Sequence, residues 1–101
     1  MIRSKQDIID CIYQVAVRYP LKSLALFGSI NTDRFSDTSD IDIVVNFNAD
    51  LDPLVRGECL LDLQIELEDQ LLRRVDILNH SYVTNPIMKT ALQEAVVIYG
   101  K

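Results

Sequence analysis

Three aspartates, Asp40, Asp42 and Asp76, and the pair Gly28-Ser29 are the residues of this chain whose types and spacing suit chemistry. Asp40 and Asp42 flank Ile41 at the head of the run Asp-Ile-Asp-Ile-Val-Val. In an extended strand alternate side chains share a face, so the two carboxylates lie on one side, about 6.6 Å apart at Cα, with Ile41, Ile43 and Val45 on the other. The segment Arg74 to Leu78 repeats the pattern, with Val75 and Ile77 on one face and Asp76 on the other. Where two such strands are neighbours with their faces aligned, three carboxylates converge on an uncovered sheet surface. Charges so close raise one another's pKa unless a cation neutralises them. An all-oxygen donor set without a His or Cys cluster favours Mg²⁺ or Mn²⁺ over Zn²⁺. Two such ions, roughly 3.5–4 Å apart, suit in-line displacement at phosphorus.

Gly28-Ser29 ends an apolar run and offers backbone N–H groups and a hydroxyl, the elements of an anion site. If the strands before and after it are antiparallel, Gly28-Ser29 and Asp40 meet at one sheet edge. A phosphate cradle then adjoins the metal ligands, as transfer from a nucleoside triphosphate requires. Each feature alone has a plain structural reading: Gly28 as a strand end, Asp40 as a loop cap, Asp76 paired with Arg73 or Arg74. A lone Asp-x-Asp is common; the ordered set requires three coincidences.

The elements that position these residues follow from periodicity. Ser4 with Asp7 is a capping-box variant, and Ile8, Ile9, Ile12, Val15 and Ala16 continue at helical spacing toward Tyr19-Pro20. Ser23 to Phe27 is a short strand, Ser29 to Ser39 a loop or short helical turn, and Ile41 to Phe47 a second strand. Asp52-Pro53 caps and starts a long helix running to about Leu72. That helix has Leu60, Leu63, Leu67 and Leu71 inward and Glu58, Asp62, Glu66 and Asp69 on a solvated face. Arg74 to Leu78 is a third strand. Asn85-Pro86 opens a last helix with Ile87, Ala91 and Ala95 inward, and Val96 to Tyr99 adds a short terminal strand. This α-β-β-α-β-α order predicts an α+β domain, a small mixed sheet covered by helices on one face.

Length and composition set the frame. One hundred and one residues make a single domain, 1–101, that buries only about two-thirds of its unfolded surface. No apolar run approaches the ~18 residues of a membrane span, and the charged N-terminal segment is no signal peptide, so the expectation is a cytoplasmic protein without membrane contact. A net charge of −5 disfavours a nucleic-acid template as partner. Cys11 and Cys59 lie apart in apolar surroundings and read as free thiols; His80 and the tyrosines read as structural.

On its Gly28-Ser29 pair, the ten residues Ile30 to Ser39, then "DID" at 40–42 and "RRVDIL" around Asp76, the chain resembles the minimal nucleotidyltransferases of the DNA polymerase beta superfamily. The resemblance covers essentially the whole chain and implies the polymerase beta palm-like fold. It implies nucleotidyl transfer with Asp40, Asp42 and Asp76 as catalytic metal ligands for two Mg²⁺ ions, Mn²⁺ substituting. Gly28 and Ser29 would hold the triphosphate of ATP or another nucleoside triphosphate. Family members of this size resemble antitoxins that place AMP on a tyrosine hydroxyl of a helical HEPN-type toxin, working as a homodimer or in a hetero-oligomer with that partner. The family's loop carries arginines and a second glycine. Here Ile30, Thr32 and Asp33 stand in those positions, leaving Arg34 to compensate at the nucleotide. That departure keeps a second reading open, an antitoxin of the same fold with weak or no catalysis that neutralises its partner by contact alone.

Overall fold

The computed structural model describes residues 4–100. Its first helix, α1 (Lys5–Ala16), starts at the expected capping box: the Ser4 hydroxyl accepts from the Asp7 amide at 3.1 Å, and the Asp7 carboxylate takes the Ser4 amide in return. Ile8, Ile12, Val15 and Ala16 form its buried stripe. Strand β1 (Leu21–Phe27) begins two residues earlier than its apolar run suggests, because Pro20 releases the chain directly into the sheet. A 3₁₀ turn (Gly28–Asn31) follows, then β2 (Ile41–Phe47), with the bounds the alternation predicts.

Helix α2 (Pro53–Leu71) opens with the Asp52 carboxylate accepting the Leu54 amide at 2.8 Å and with Pro53 in its first turn. It buries Leu63, Leu67 and Leu71. It ends on Leu72, an exposed leucine held in the left-handed region at φ 55°. Strand β3 (Val75–Asn79), a 3₁₀ turn at His80–Tyr82, helix α3 (Pro86–Leu92) and strand β4 (Val96–Gly100) complete the order.

The sheet runs β3-β2-β1-β4, with β1 antiparallel to both β2 and β4 and β2 parallel to β3. The parallel pair requires a crossover, and α2 supplies it. Helices α1 and α2 cover one face, where Leu24, Leu26, Ile41, Ile43, Val45 and Val75 meet Ile8, Ile12, Leu63 and Leu67 in one core. The two helices are clasped at their outer edge. Glu66 receives both the Arg18 guanidinium and the Tyr19 hydroxyl, the latter at 3.0 Å, and Cys11 faces Gln70. Glu66 therefore leaves the solvated acidic face on which its spacing puts it. Its proximity adds to the burial that pushes the Tyr19 hydroxyl up to about 12. Both cysteines are free, and burial first of all holds their thiols above the usual range.

Two features of the last helix depart from expectation. Ile87 is 81 % exposed and Ala91 is exposed, whereas Leu92 is buried and Met88 half-buried. Asn85 accepts the Ile87 amide at 2.8 Å and fixes the helix start. With the start fixed, the row that faces the sheet is 88, 92 and 95 rather than 87, 91 and 95. That row packs on Ala25 and Val44, with Phe27, Leu78 and Val83 around them. The sheet face opposite α1 and α2, expected to be uncovered, thus carries a small second core beyond its aspartates.

Leu67→Ala removes a fully buried side chain and should lower unfolding free energy by about 2–5 kcal/mol. Leu72→Gly relieves the left-handed conformation of an exposed leucine and should raise it by about 0.5 kcal/mol. Urea denaturation of the two variants checks both signs.

Candidate active site

Backbone contacts fix the site before any of its side chains act. Helix α2 takes both main-chain groups of Val75: Gln64 donates to its carbonyl at 3.0 Å and the Glu68 carboxylate accepts its amide at 2.9 Å. The next residue is Asp76. On the other side, the Ile41 amide donates to the Arg74 carbonyl at 3.0 Å, tying the start of β2 to the start of β3. The resulting register makes Asp42 and Asp76 direct neighbours across the parallel pair, so their side chains share a face. Asp40 lies one residue ahead of β2, exposed, on the same alternation.

On its other side Asp42 is the register partner of Phe27, the last residue of β1. Gly28 then turns the chain at φ +79°, a conformation open to glycine. Close approach imposes a second demand. A Cβ at Gly28 would stand 2.5 Å from Asp42 Oδ2, so the carboxylate rests directly on the glycine backbone. The following 3₁₀ turn is pinned by Ile30, which is buried in the main core. It is closed by Asn31, whose side-chain Nδ2 donates to the Leu26 carbonyl at 3.0 Å. Thr32 donates through its amide and hydroxyl to the Ser29 carbonyl at 2.9 and 2.8 Å. Gly28-Ser29 and the head of β2 therefore sit at one sheet edge, in the arrangement the antiparallel pairing requires.

Asp42 is held above the ordinary carboxylate range, first by burial and then by the negative charges of Asp76 and Asp40, with Arg74 opposing. Arg74 meets Asp76 directly, Nε to Oδ1 at 3.3 Å, in a largely exposed pair. Among the described residues no three His, Cys, Asp or Glu side chains stand close enough to enclose an ion as they are. The donor set nevertheless fits a hard divalent cation in chemistry: three carboxylates, two of them register neighbours, whose mutual repulsion a cation relieves.

The loop after the 3₁₀ turn is anchored by cations that sequence reasoning did not single out for it. Arg73 donates to the carbonyls of Ser36 and Ser39 at 3.0 and 3.2 Å, and its guanidinium stacks 5.0 Å from the Phe35 ring centroid. Lys5 bonds the Thr32 carbonyl at 2.9 Å and lies over the same ring. The signal was Phe35, one aromatic in an otherwise polar loop. Arg34 is exposed at the loop's turn, its amide bonded to the Thr32 hydroxyl and its side chain outside these anchors.

A strand ending in Gly-Ser and carboxylates on a parallel strand pair across a helical crossover define a nucleotidyltransferase palm. The sequence signature of the "Polymerase beta, Nucleotidyltransferase" family matches residues 10–101, and the chain belongs to that family. It is similar to the protein adenylyltransferase MntA of Thermococcus cleftensis, 31% identical over 80% of this chain and 78% of that protein. A protein of Methanocaldococcus jannaschii, named as a candidate protein adenylyltransferase, is 35% identical over 84% of this chain and 87% of its own length. In fold the chain matches a toxin–antitoxin complex crystallised with AMP-PNP, at TM-score 0.69 and 23% identity, over 92% of this chain and 73% of that one. It also matches a structure of the tri-AMPylated Shewanella oneidensis HEPN toxin with its MNT antitoxin, at TM-score 0.68 and 23% identity, over 97% and 74%.

The raised Asp42 carboxyl makes a signed prediction. The folded chain holds this proton more tightly than the unfolded one, so the stability contribution is fully present below the unfolded value, about 4, and is lost as pH rises through the higher folded value. In metal-free buffer Asp42→Asn should match the wild type near pH 4 and melt higher at neutral pH. Millimolar Mg²⁺ should narrow that gap by raising only the wild type. Thermal melts across pH with EDTA or Mg²⁺ read both effects.

Proposed function

We propose that this nucleotidyltransferase moves AMP from ATP to a tyrosine hydroxyl of a HEPN-type toxin, breaking the bond between the α- and β-phosphates and releasing pyrophosphate, and is the antitoxin of that pair. The observation that supports the transfer chemistry is the Asp42 carboxylate seated on Gly28 beside Asp76, next to the turn that would receive a triphosphate. The relatives named as protein adenylyltransferases support AMP as the group transferred. The fold shared with MNT–HEPN complexes supports the class of acceptor.

Asp40, Asp42 and Asp76 would hold two Mg²⁺, which supply charge neutralisation at the phosphates and lower the barrier to displacement at phosphorus. The chain's own groups do the rest. The backbone of Gly28-Ser29 and the Ser29 hydroxyl hold the triphosphate and orient it, as N–H groups at such a turn do. Asp76, freed from Arg74, accepts the proton of the incoming hydroxyl at its carboxylate. Arg74, released in turn, is a cation at the mouth of the site. The long α2 crossover keeps Asp76 in register through Gln64 and Glu68 while the exposed loop tip with Arg34 meets the nucleotide.

Incubation with labelled ATP, Mg²⁺ and the candidate toxin should label the toxin, and Asp42→Ala should abolish labelling. Gly28→Ala places a methyl against Asp42 Oδ2 and should lower the transfer rate by roughly 100-fold, as displacement of a catalytic group by about 1 Å does. The variant should still fold, as circular dichroism would show.

Neutralisation by contact alone is favoured by one specific observation. Lys5 and Arg73, the two cations that anchor the loop from outside, are committed to its carbonyls and to Phe35, which leaves Arg34 as the loop's own cation for a triphosphate. Neutralisation of the toxin in cells separates the readings: the Asp40→Ala/Asp42→Ala double variant should fail while still forming the complex. Retained protection would establish the contact mechanism instead.

A further inference from the structure

The far ends of the two strands that carry Asp42 and Asp76 enclose a cleft of about 260 Å³, against the first turns of α2. Its walls are Asn46, Phe47, Ala49, Arg56, Asn79 and Ser81. Asn46 lies four residues beyond Asp42 on β2, roughly 13 Å along the strand, so this cleft and the carboxylates occupy opposite ends of the sheet. Crevices at the carboxyl ends of parallel strands are where open α/β sheets commonly take ligands.

Two buried donors in these walls lack any acceptor among the described residues: Asn79 Nδ2 and Arg56 Nε. Asn79 is only 7% exposed. The orientation of its amide is fixed, because Oδ1 accepts both the Ser81 amide at 3.1 Å and the Ser81 hydroxyl at 2.9 Å. Only an oxygen can receive two donors, so the amide nitrogen is the end left without a partner. The guanidinium of Arg56 is likewise anchored, with Nη2 donating to the Ala49 carbonyl at 3.1 Å. Buried polar groups are rarely left unpaired, and here two donors from distant parts of the sequence share one cleft.

The chemistry of the walls selects the ligand. Both unpaired groups donate, one is cationic, and no Asp or Glu lines the cleft in a chain of net charge −5. The volume lies just below the range of drug-sized ligand pockets. We propose that this cleft is a second binding site, taking a small anion through a carboxylate or phosphate group held by Arg56 and Asn79. It is separate from the transferase site and does not depend on the acceptor assigned above.

The test uses the full chain, ¹⁵N-labelled, with resonances recorded for backbone amides, the Asn79 side-chain amide and the Arg56 Nε–H. Inorganic phosphate and acetate are titrated separately at constant ionic strength, which also tells the two headgroups apart. Saturable shifts at Arg56 and Asn79 are expected for at least one anion, with a midpoint distinct from any change at Gly28 and Ser29. Asn79→Asp keeps the acceptor for Ser81 while removing the donor and adding a negative charge; it should weaken binding at least ten-fold. Arg56→Gln, at a half-buried helix position, should do the same and carries the test alone if Asn79→Asp does not fold. Shifts that rise without saturating, that persist in the folded variants or that are confined to Gly28 and Ser29 would overturn the proposal. So would unmoved Arg56 and Asn79 signals with cross-peaks to long-lived water, since trapped water would then be the partner of both donors.

Discussion

The contact between the Asp42 carboxylate and the backbone of Gly28 is the constraint around which the rest of this small protein is arranged. It forces β1 to stop at Phe27, because any residue with a side chain at position 28 would push the carboxylate away. It forces the chain into a positive-φ turn there, which glycine alone adopts easily. It also places a half-buried charge next to two more negative charges, a costly arrangement for a chain with so limited a core. The opposite sheet face compensates, since Ile41, Ile43 and Val45 alternate with those aspartates and are completely buried.

Positive charge is distributed with comparable economy. Arg74 opposes the repulsion around Asp42 and pairs with Asp76, while its neighbour Arg73 turns to the loop and holds two of its carbonyls. Adjacent residues thus serve the carboxylates and the loop from one short connection between α2 and β3. Lys5 completes the anchorage from the start of α1. The loop 32–39, though polar and without regular structure, is therefore tied both to α1 and to the connection that follows α2.

Much of this was readable in the sequence where one physical rule dominated. The capping box at Ser4, the Asp52-Pro53 helix start and the alternation of β2 are local signals, and each element lies where they place it. The meeting of Asp42 with Asp76 depended on strand order, which no local pattern encodes; the parallel pairing supplies it. Helix α3 escaped because seven residues give too little periodicity to choose between adjacent rows, so Ile87 was placed inward and Met88 was missed. Spacing alone puts Glu66 on the solvated face because its partners Arg18 and Tyr19 come from the turn after α1, far away in sequence. The buried Asn79 was hidden for the same reason: polar residues at strand ends are ordinary, and only the fold surrounds this one with Arg56 and Ser81.

Strand β1 is central, yet its two neighbours come from opposite sides of the chain's middle: β2 follows almost at once, whereas β4 pairs Val96 with Leu26 across most of the sequence. A ribosome-bound chain can close the β1–β2 pair early, but one edge of β1 stays bare until residues 96–100 have emerged. Such an open edge invites pairing with other strands during synthesis. The high contact order of that final strand should make its docking the slow step of folding. The Tyr13–Tyr99 ring contact, edge-on at 5.8 Å, joins that last strand to helix α1.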